Sequence, residues 1–139
     1  MWAAAQDGNK AYSTGGTIDN FEPGMRKCNE FVVDAYEKGA KVGQLPRQKR
    51  FKFWKERYPL QANDLADPKM NVPHFPVVKG GKLQVGDIVS YPVKGGLGHT
   101  SIYMGGGMVT QASGTHGVRT TSVTYNPHWN NMVVRRYAP

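Results

Sequence analysis

Between Arg26 and Lys38 the apolar residues Phe31, Val32, Ala35 and Tyr36 recur three and four positions apart, the spacing of one helical face. Gly39 follows as a candidate C-cap. The pattern predicts a helix over Arg26–Lys38, with Cys28 in its first turn. Residues 1–20 are rich in Gly, Ser, Thr and Asn and show no periodicity, which predicts a loose N-terminal arm ending near the turn signal Glu22-Pro23-Gly24. From Leu45 to about Val78 the prolines at 46, 59, 68, 73 and 76 predict irregular chain, with room for one short helix over Arg50–Arg57. The second half changes character. Asp87–Tyr91, His99–Met104, Met108–Ala112, Ser122–Tyr125 and Met132–Tyr137 are short runs of Val, Ile, Tyr and Thr separated by glycine or Asn-Pro turns, and read as strands. A helix first and an antiparallel sheet second is an α+β arrangement. At 139 residues without internal repeats, the chain is expected to form one domain.

Composition narrows the chemistry. With 39% hydrophobic residues and no long polar tract, the chain can build a core without covalent staples. A single cysteine excludes an intramolecular disulfide and a multi-cysteine zinc site, leaving a buried structural thiol, a reactive thiol or an intermolecular bridge. The formal charge of +8 points to an anionic partner: nucleic acid, acidic membrane or cell wall. No apolar run approaches the ~20 residues that span a bilayer. The start, Met1-Trp2-Ala3-Ala4-Ala5-Gln6, lacks a basic region and an apolar core, so no secretory signal peptide is expected. A protein of this kind acting outside the cytoplasm would be delivered by another machine or excised from a longer chain.

The chemistry-bearing residues gather around Cys28. A helix N-terminus and a nearby imidazole both stabilise a thiolate, and Arg26 and Lys27 add positive charge that Glu30 partly opposes. Of His74, His99, His116 and His128, His99 stands out because it opens a strand after Gly95-Gly96-Leu97-Gly98, small residues that let a substrate or another backbone approach. If His99–Met104 and Met108–Ala112 pair through Gly105-Gly106-Gly107, Gln111 falls near His99 and can orient its imidazole. His116, in the loop Gly114-Thr115-His116-Gly117, is the rival for that role. His74 and His128 sit beside prolines and read as loop residues.

A cysteine at the head of a helix, then Leu83-Gln84-Val85-Gly86-Asp87-Ile88-Val89, Gly98-His99-Thr100-Ser101-Ile102-Tyr103-Met104-Gly105 and Gln111-Ala112-Ser113, resembles the NlpC-like cell-wall peptidases over about Met25–Ser113. The resemblance implies a papain-like fold, with the cysteine on a helix packed against a small sheet. It also implies Cys28 as nucleophile, His99 as base and Gln111 as orienting residue of a hydrolase cutting amide bonds in bacterial peptidoglycan, without metal or organic cofactor. Cysteine preceding histidine separates the chain from the permuted acyltransferase branch. Two positions depart from the usual pattern: Cys28-Asn29-Glu30 stands where Cys-Ser-Gly is common, and glutamine stands where histidine is frequent. Lys27-Cys28-Asn29-Glu30-Phe31-Val32 is similar to amidase toxins of type VI secretion and of Rhs-type proteins. That likeness implies an antibacterial effector reaching the target-cell periplasm, and an immunity protein that occludes the cleft. Two alternatives stand beside it: a thiol toxin acting on protein, as protease or deamidase, and a basic nucleic-acid-binding module with a structural cysteine.

Arg47-Gln48-Lys49-Arg50-Phe51-Lys52-Phe53-Trp54-Lys55-Glu56-Arg57-Tyr58 interleaves six cations with four aromatics. Phe51, Trp54 and Tyr58 at helical spacing suggest an amphipathic helix with its charges solvated. A cleft wall facing anionic polymer, or a stacking surface for single-stranded nucleic acid, are the functional readings.

Overall fold

A computed structural model describes residues 2–9, 11, 28–40, 47–48, 58–60, 62–94, 98–113 and 117–139. In chain order its elements are α1 (Trp2–Ala5), α2 (Cys28–Asp34) continued by a π-helical turn (Ala35–Ala40), the short strands β1 (Arg47–Gln48) and β2 (Tyr58–Pro59), and α3 (Ala62–Leu65). Then come β3 (Ile88–Tyr91), β4 (His99–Gly105), β5 (Met108–Ser113), β6 (Gly117–Ser122), a 3₁₀ turn (Trp129–Asn131) and β7 (Val133–Arg135). The last five strands form one antiparallel sheet in the order β6-β5-β4-β3-β7, and β1 pairs with β2 separately. Among the described residues no helix is long and apolar enough to cross a membrane.

The hairpin between β4 and β5 turns at Gly106 and Gly107, with φ of 61° and 76°, the doubly positive geometry of a two-residue turn that glycine adopts without strain. Carried on from Ile102↔Thr110, the register sets Gln111 across from Ser101 and diagonal to His99.

Strand alternation gives the sheet two unlike faces. On one face Ile88 and Ile102 pack with Val32 and Val33 of α2 and with Tyr36 of the π-helical turn, and beside them Ala112 and Val118 pack with Phe31 of α2. The same face carries hydroxyls paired across strands, buried Ser90 with buried Thr100 and buried Thr110 with exposed Thr120, both at 2.8 Å, so the buried hydroxyls keep a partner. Val89, Tyr91, Tyr103 and Val109 occupy the opposite face under Leu83, Val123 and Met132.

Contacts along α2 fix its direction. Phe31 packs with Ala112, which the register sets level with Thr100, whereas Tyr36 packs with Ile102 and donates its hydroxyl to the Gly86 carbonyl. Helix α2 and strand β4 therefore begin at the same end of the sheet, with Cys28 and His99 as their first residues.

Three expectations need correction. Residues 2–9 are not loose: Ala3 is buried with Phe31, Ala112 and Val118, and Gly8 and Asn9 pair with Val118 through backbone bonds of 2.8 and 3.0 Å. Alanine favours helix, but four residues are too few to hold one alone; burial of Ala3 and the packing of Trp2 on Phe31 stabilise it, a distant contact that local pattern does not show. Gly39 is not a C-cap but lies within the π-helical turn, where a Cβ would stand 2.7 Å from the Trp2 Cβ, so its smallness admits that tryptophan. The strand expected at Ser122–Tyr125 ends at Ser122 and starts at Gly117, because pairing with β5 runs from Ser113↔Gly117 to Met108↔Ser122. The short helix expected over Arg50–Arg57, and nearly all of the basic aromatic stretch, lie outside the described residues.

Burial pushes the hydroxyls of Tyr36 and Tyr91 up from 10.0 to about 12, and the Asp87 carboxylate adds to the shift at Tyr36. A raised phenol favours the neutral form in the folded state, so its contribution is complete below pH 10 and is lost as pH rises toward 12. Melting temperature is expected to fall steeply across that interval, and less steeply in Tyr36→Phe. Alkaline slopes in Tyr36→Phe and Tyr91→Phe that both match the wild type would contradict this cause.

Candidate active site

Gly98, with φ of 71°, turns the chain into β4, and its missing side chain leaves room for Asn63. A Cβ at Gly98 would stand 3.1 Å from the Asn63 backbone nitrogen. Asn63 in turn holds both backbone groups of Val93, accepting from its N–H at 3.1 Å and donating to its carbonyl at 3.3 Å. Both flanks of the segment leading into His99 are thus fixed by α3.

His99 is half-buried and its ring stacks on Tyr91, with centroids 6.2 Å apart and planes at 22°. Its Nε2 lies 2.7 Å from Gln111 Oε1. Gln111 is buried and donates from Nε2 to Thr121 Oγ1 at 2.8 Å. Thr121 donates onward to the Ser122 carbonyl in a long bond of 3.4 Å. The donors and acceptors run in one direction. With its proton directed to Ser122, Thr121 receives the Gln111 amide N–H; this turns Oε1 to the imidazole, and an amide oxygen only accepts. Nε2 of His99 then carries the ring proton and Nδ1 the lone pair, the tautomer of a general base.

Cys28 is buried at the first residue of α2, and α2 packs against β4 and β5. The structure joins His99 and Gln111 directly and brings Cys28 to the same end of the sheet. Alternation sets His99 and Gln111 on the face turned from the α2 core. His116, the rival orienting residue, lies outside the described residues. His74 and His128 are exposed in loops as expected, His74 at the left-handed φ of 66° with Nδ1 3.3 Å from the Ala138 carbonyl.

Thr121 was missed by sequence reasoning. The signal lay in the period-2 alternation of Gly117–Ser122: once β6 pairs with β5, Thr121 falls diagonal to Gln111 on the same face. Taking the strand five residues too late concealed it.

A hydrogen-bonded imidazole–amide pair, on an antiparallel sheet that packs a helix opening on cysteine, fits a thiol-dependent hydrolase. A model of the NlpC/P60 family matches residues 9–137, and the chain belongs to that family. Membership supports a cysteine hydrolase of the amidase or peptidase type. No curated protein matches the chain.

Proposed function

We propose that the protein hydrolyses amide bonds of bacterial peptidoglycan, with Cys28 as nucleophile, His99 as base and Gln111 as the residue that orients the imidazole. The observation that carries the reading is the His99–Gln111–Thr121 relay, which leaves the basic lone pair on Nδ1. On this reading Cys28 and His99 approach each other around the shared end of α2 and β4, within a papain-like arrangement. Nδ1 takes the thiol proton, and the Cys28 sulfur attacks the amide carbonyl. Backbone N–H groups at the helix start receive the developing oxyanion. The imidazolium returns its proton to the leaving amine, and water hydrolyses the thioester. Held at the helix start and beside an imidazole, a thiol ionises more readily than a free cysteine.

The charge of +8 supports an anionic polymer as substrate. We further read the protein as an antibacterial effector that acts in the target-cell periplasm, whose producer guards itself with a protein that fills the cleft. Co-purification from the producer that recovers no such protein would count against that part.

The test of the activity is digestion of isolated peptidoglycan by the wild type and by Cys28→Ala, with muropeptides separated and weighed. New fragments from the wild type alone are expected, and their masses identify the bond. Folded wild-type protein that leaves both Gram-negative and Gram-positive walls intact would remove the peptidoglycan reading and turn attention to protein amides.

A further inference from the structure

One side-chain cluster joins the elements that carry Cys28, Gln111 and Thr121. Phe31 is fully buried against Ala112 of β5 and Val118 of β6, and Ala3 of α1 completes the group. Ala112 follows Gln111 directly, Val118 lies three residues before Thr121, and Phe31 lies three residues after Cys28. Trp2 packs on this cluster, its ring centre 5.8 Å from that of Phe31 and the planes at 30°. It also abuts Gly39, where a Cβ would stand 2.7 Å from the Trp2 Cβ. Backbone bonds hold the arm down: Gln6 N–H donates to the Ala3 carbonyl at 3.1 Å, Gly8 N–H to the Val118 carbonyl at 2.8 Å, and Val118 N–H to the Asn9 carbonyl at 3.0 Å.

Long side chains on a helix lean toward its N-terminus, so Phe31 covers the turn that begins at Cys28. Trp2 therefore presses, through Phe31, on the turn whose free N–H groups and dipole stabilise a thiolate. It stands outside the larger core, where Val32, Val33, Tyr36, Leu65, Ile88 and Ile102 pack without it. Removing the indole loosens the first turn of α2 and spares the packing that folds the domain.

We propose that Trp2 is a positioning residue: through Phe31 it clamps the first turn of α2 against β5 and β6, and so sets the Cys28 thiol relative to the His99 imidazole. The inference rests on the Cys28–His99 reading above. Displacing a reacting group by about 1 Å costs on the order of 10²-fold in rate, even when the cause lies far from the chemistry. The clamp touches no reacting atom, so its loss lowers kcat and leaves KM. Gly39, beyond the other end of α2 from Cys28, offers a second handle on the same ring. Gly39→Ala sets a Cβ against Trp2 and displaces it, and a cavity of about 250 Å³ lined by Trp2, Gly39 and Ala40 gives the indole room to move without unfolding.

The experiment titrates the ultraviolet absorbance of the Cys28 thiolate, as the difference from Cys28→Ala, and measures kcat and KM on a defined stem peptide. Wild type, Trp2→Ala, Trp2→Phe, Gly39→Ala and the double variant Trp2→Ala/Gly39→Ala are compared, each well below its own melting temperature. In the wild type the thiolate midpoint is expected below that of a free cysteine. Trp2→Ala and Gly39→Ala raise it by about one pH unit, tenfold less thiolate at acidic pH, and lower kcat about 10- to 100-fold with KM within about twofold. The double variant is no worse than Trp2→Ala, because both changes act through one ring, and Trp2→Phe recovers most of the loss. Gly39→Ala carries the same comparison if Trp2→Ala does not fold. A lower melting temperature with midpoint and kcat unmoved assigns Trp2 a merely structural role and overturns the inference, as does additive loss in the double variant, and the amidase reading stands in both cases. A wild type whose thiol titrates as a free cysteine, and which leaves peptide and wall intact, removes that reading and this inference with it.

Discussion

His99→Ala is expected to lower kcat/KM by about 10³-fold or more while leaving the melting temperature within a few degrees, since one base serves both thiol activation and leaving-group protonation. The half-buried ring touches Tyr91 and Gln111 at the end of a strand, so its removal opens no large cavity. The relay ranks the neighbours. Gln111→Ala frees the imidazole to rotate and is expected to cost about 10- to 100-fold, the scale seen when the hydrogen-bond partner of a functional imidazole is removed. Thr121→Val acts one step further out and costs less than Gln111→Ala, because it frees the amide to flip and present its NH₂ to Nε2. Gln111→His retains activity if its ring accepts the Nε2 proton. Steady-state kinetics on a defined stem peptide, with His116→Ala as comparison, checks the order. A larger loss in His116→Ala than in Gln111→Ala would move the orienting role to the loop before β6.

What the sequence disclosed about this site was local in nature. His99 and Gln111 could be paired on paper because three glycines mark a tight turn, and a tight antiparallel hairpin fixes register within a residue or two. The structure places them diagonally and close enough to bond. The α2 face was legible for a similar reason, since Phe31, Val32 and Tyr36 carry a helical period that tertiary contacts reinforce.

Features resting on distant contacts were not legible. Nothing near Trp2 says that it meets Phe31 and the Cβ-free surface of Gly39. Gly39 itself was read from the local rule that glycine ends helices, and the steric demand came from a residue far along the chain. The β6 run was misplaced because Val118, Thr120 and Ser122 face the hydroxyl-rich side of the sheet. There, threonines paired across strands blur the apolar–polar alternation that marks a strand.

Arg135→Met is expected to destabilise the fold strongly. Arg135 is 1% exposed, and its guanidinium donates to the carbonyls of Leu65 (2.9 Å), Phe75 (2.9 Å), Asp67 (2.7 Å) and Met70 (2.9 Å). Burial works to lower its pKa and the neighbouring Asp67 works to raise it. Methionine fills much of the volume but leaves those carbonyls without their donors, in a stretch where Leu65, Val72 and Phe75 are already committed to the core. A cost of about 3–5 kcal/mol is expected, on the scale of removing one partner from a buried charged network. That corresponds to a melting temperature lower by on the order of 10–20 °C for a domain of this size. Arg135→Lys recovers only part, because an ammonium has three donors and no planar fork to span four acceptors. Urea unfolding of the three proteins measures the difference, and a loss under about 1 kcal/mol in Arg135→Met would refute the role. The consequence reaches the site. Asn63 sits in α3, whose last residue, Leu65, is one of the acceptors, and Asn63 holds Val93 and abuts Gly98 immediately before His99. Loosening the stretch from 65 to 75 therefore releases the flank that sets the start of β4. Arg135→Met is expected to lose hydrolytic activity at temperatures below its own melting point.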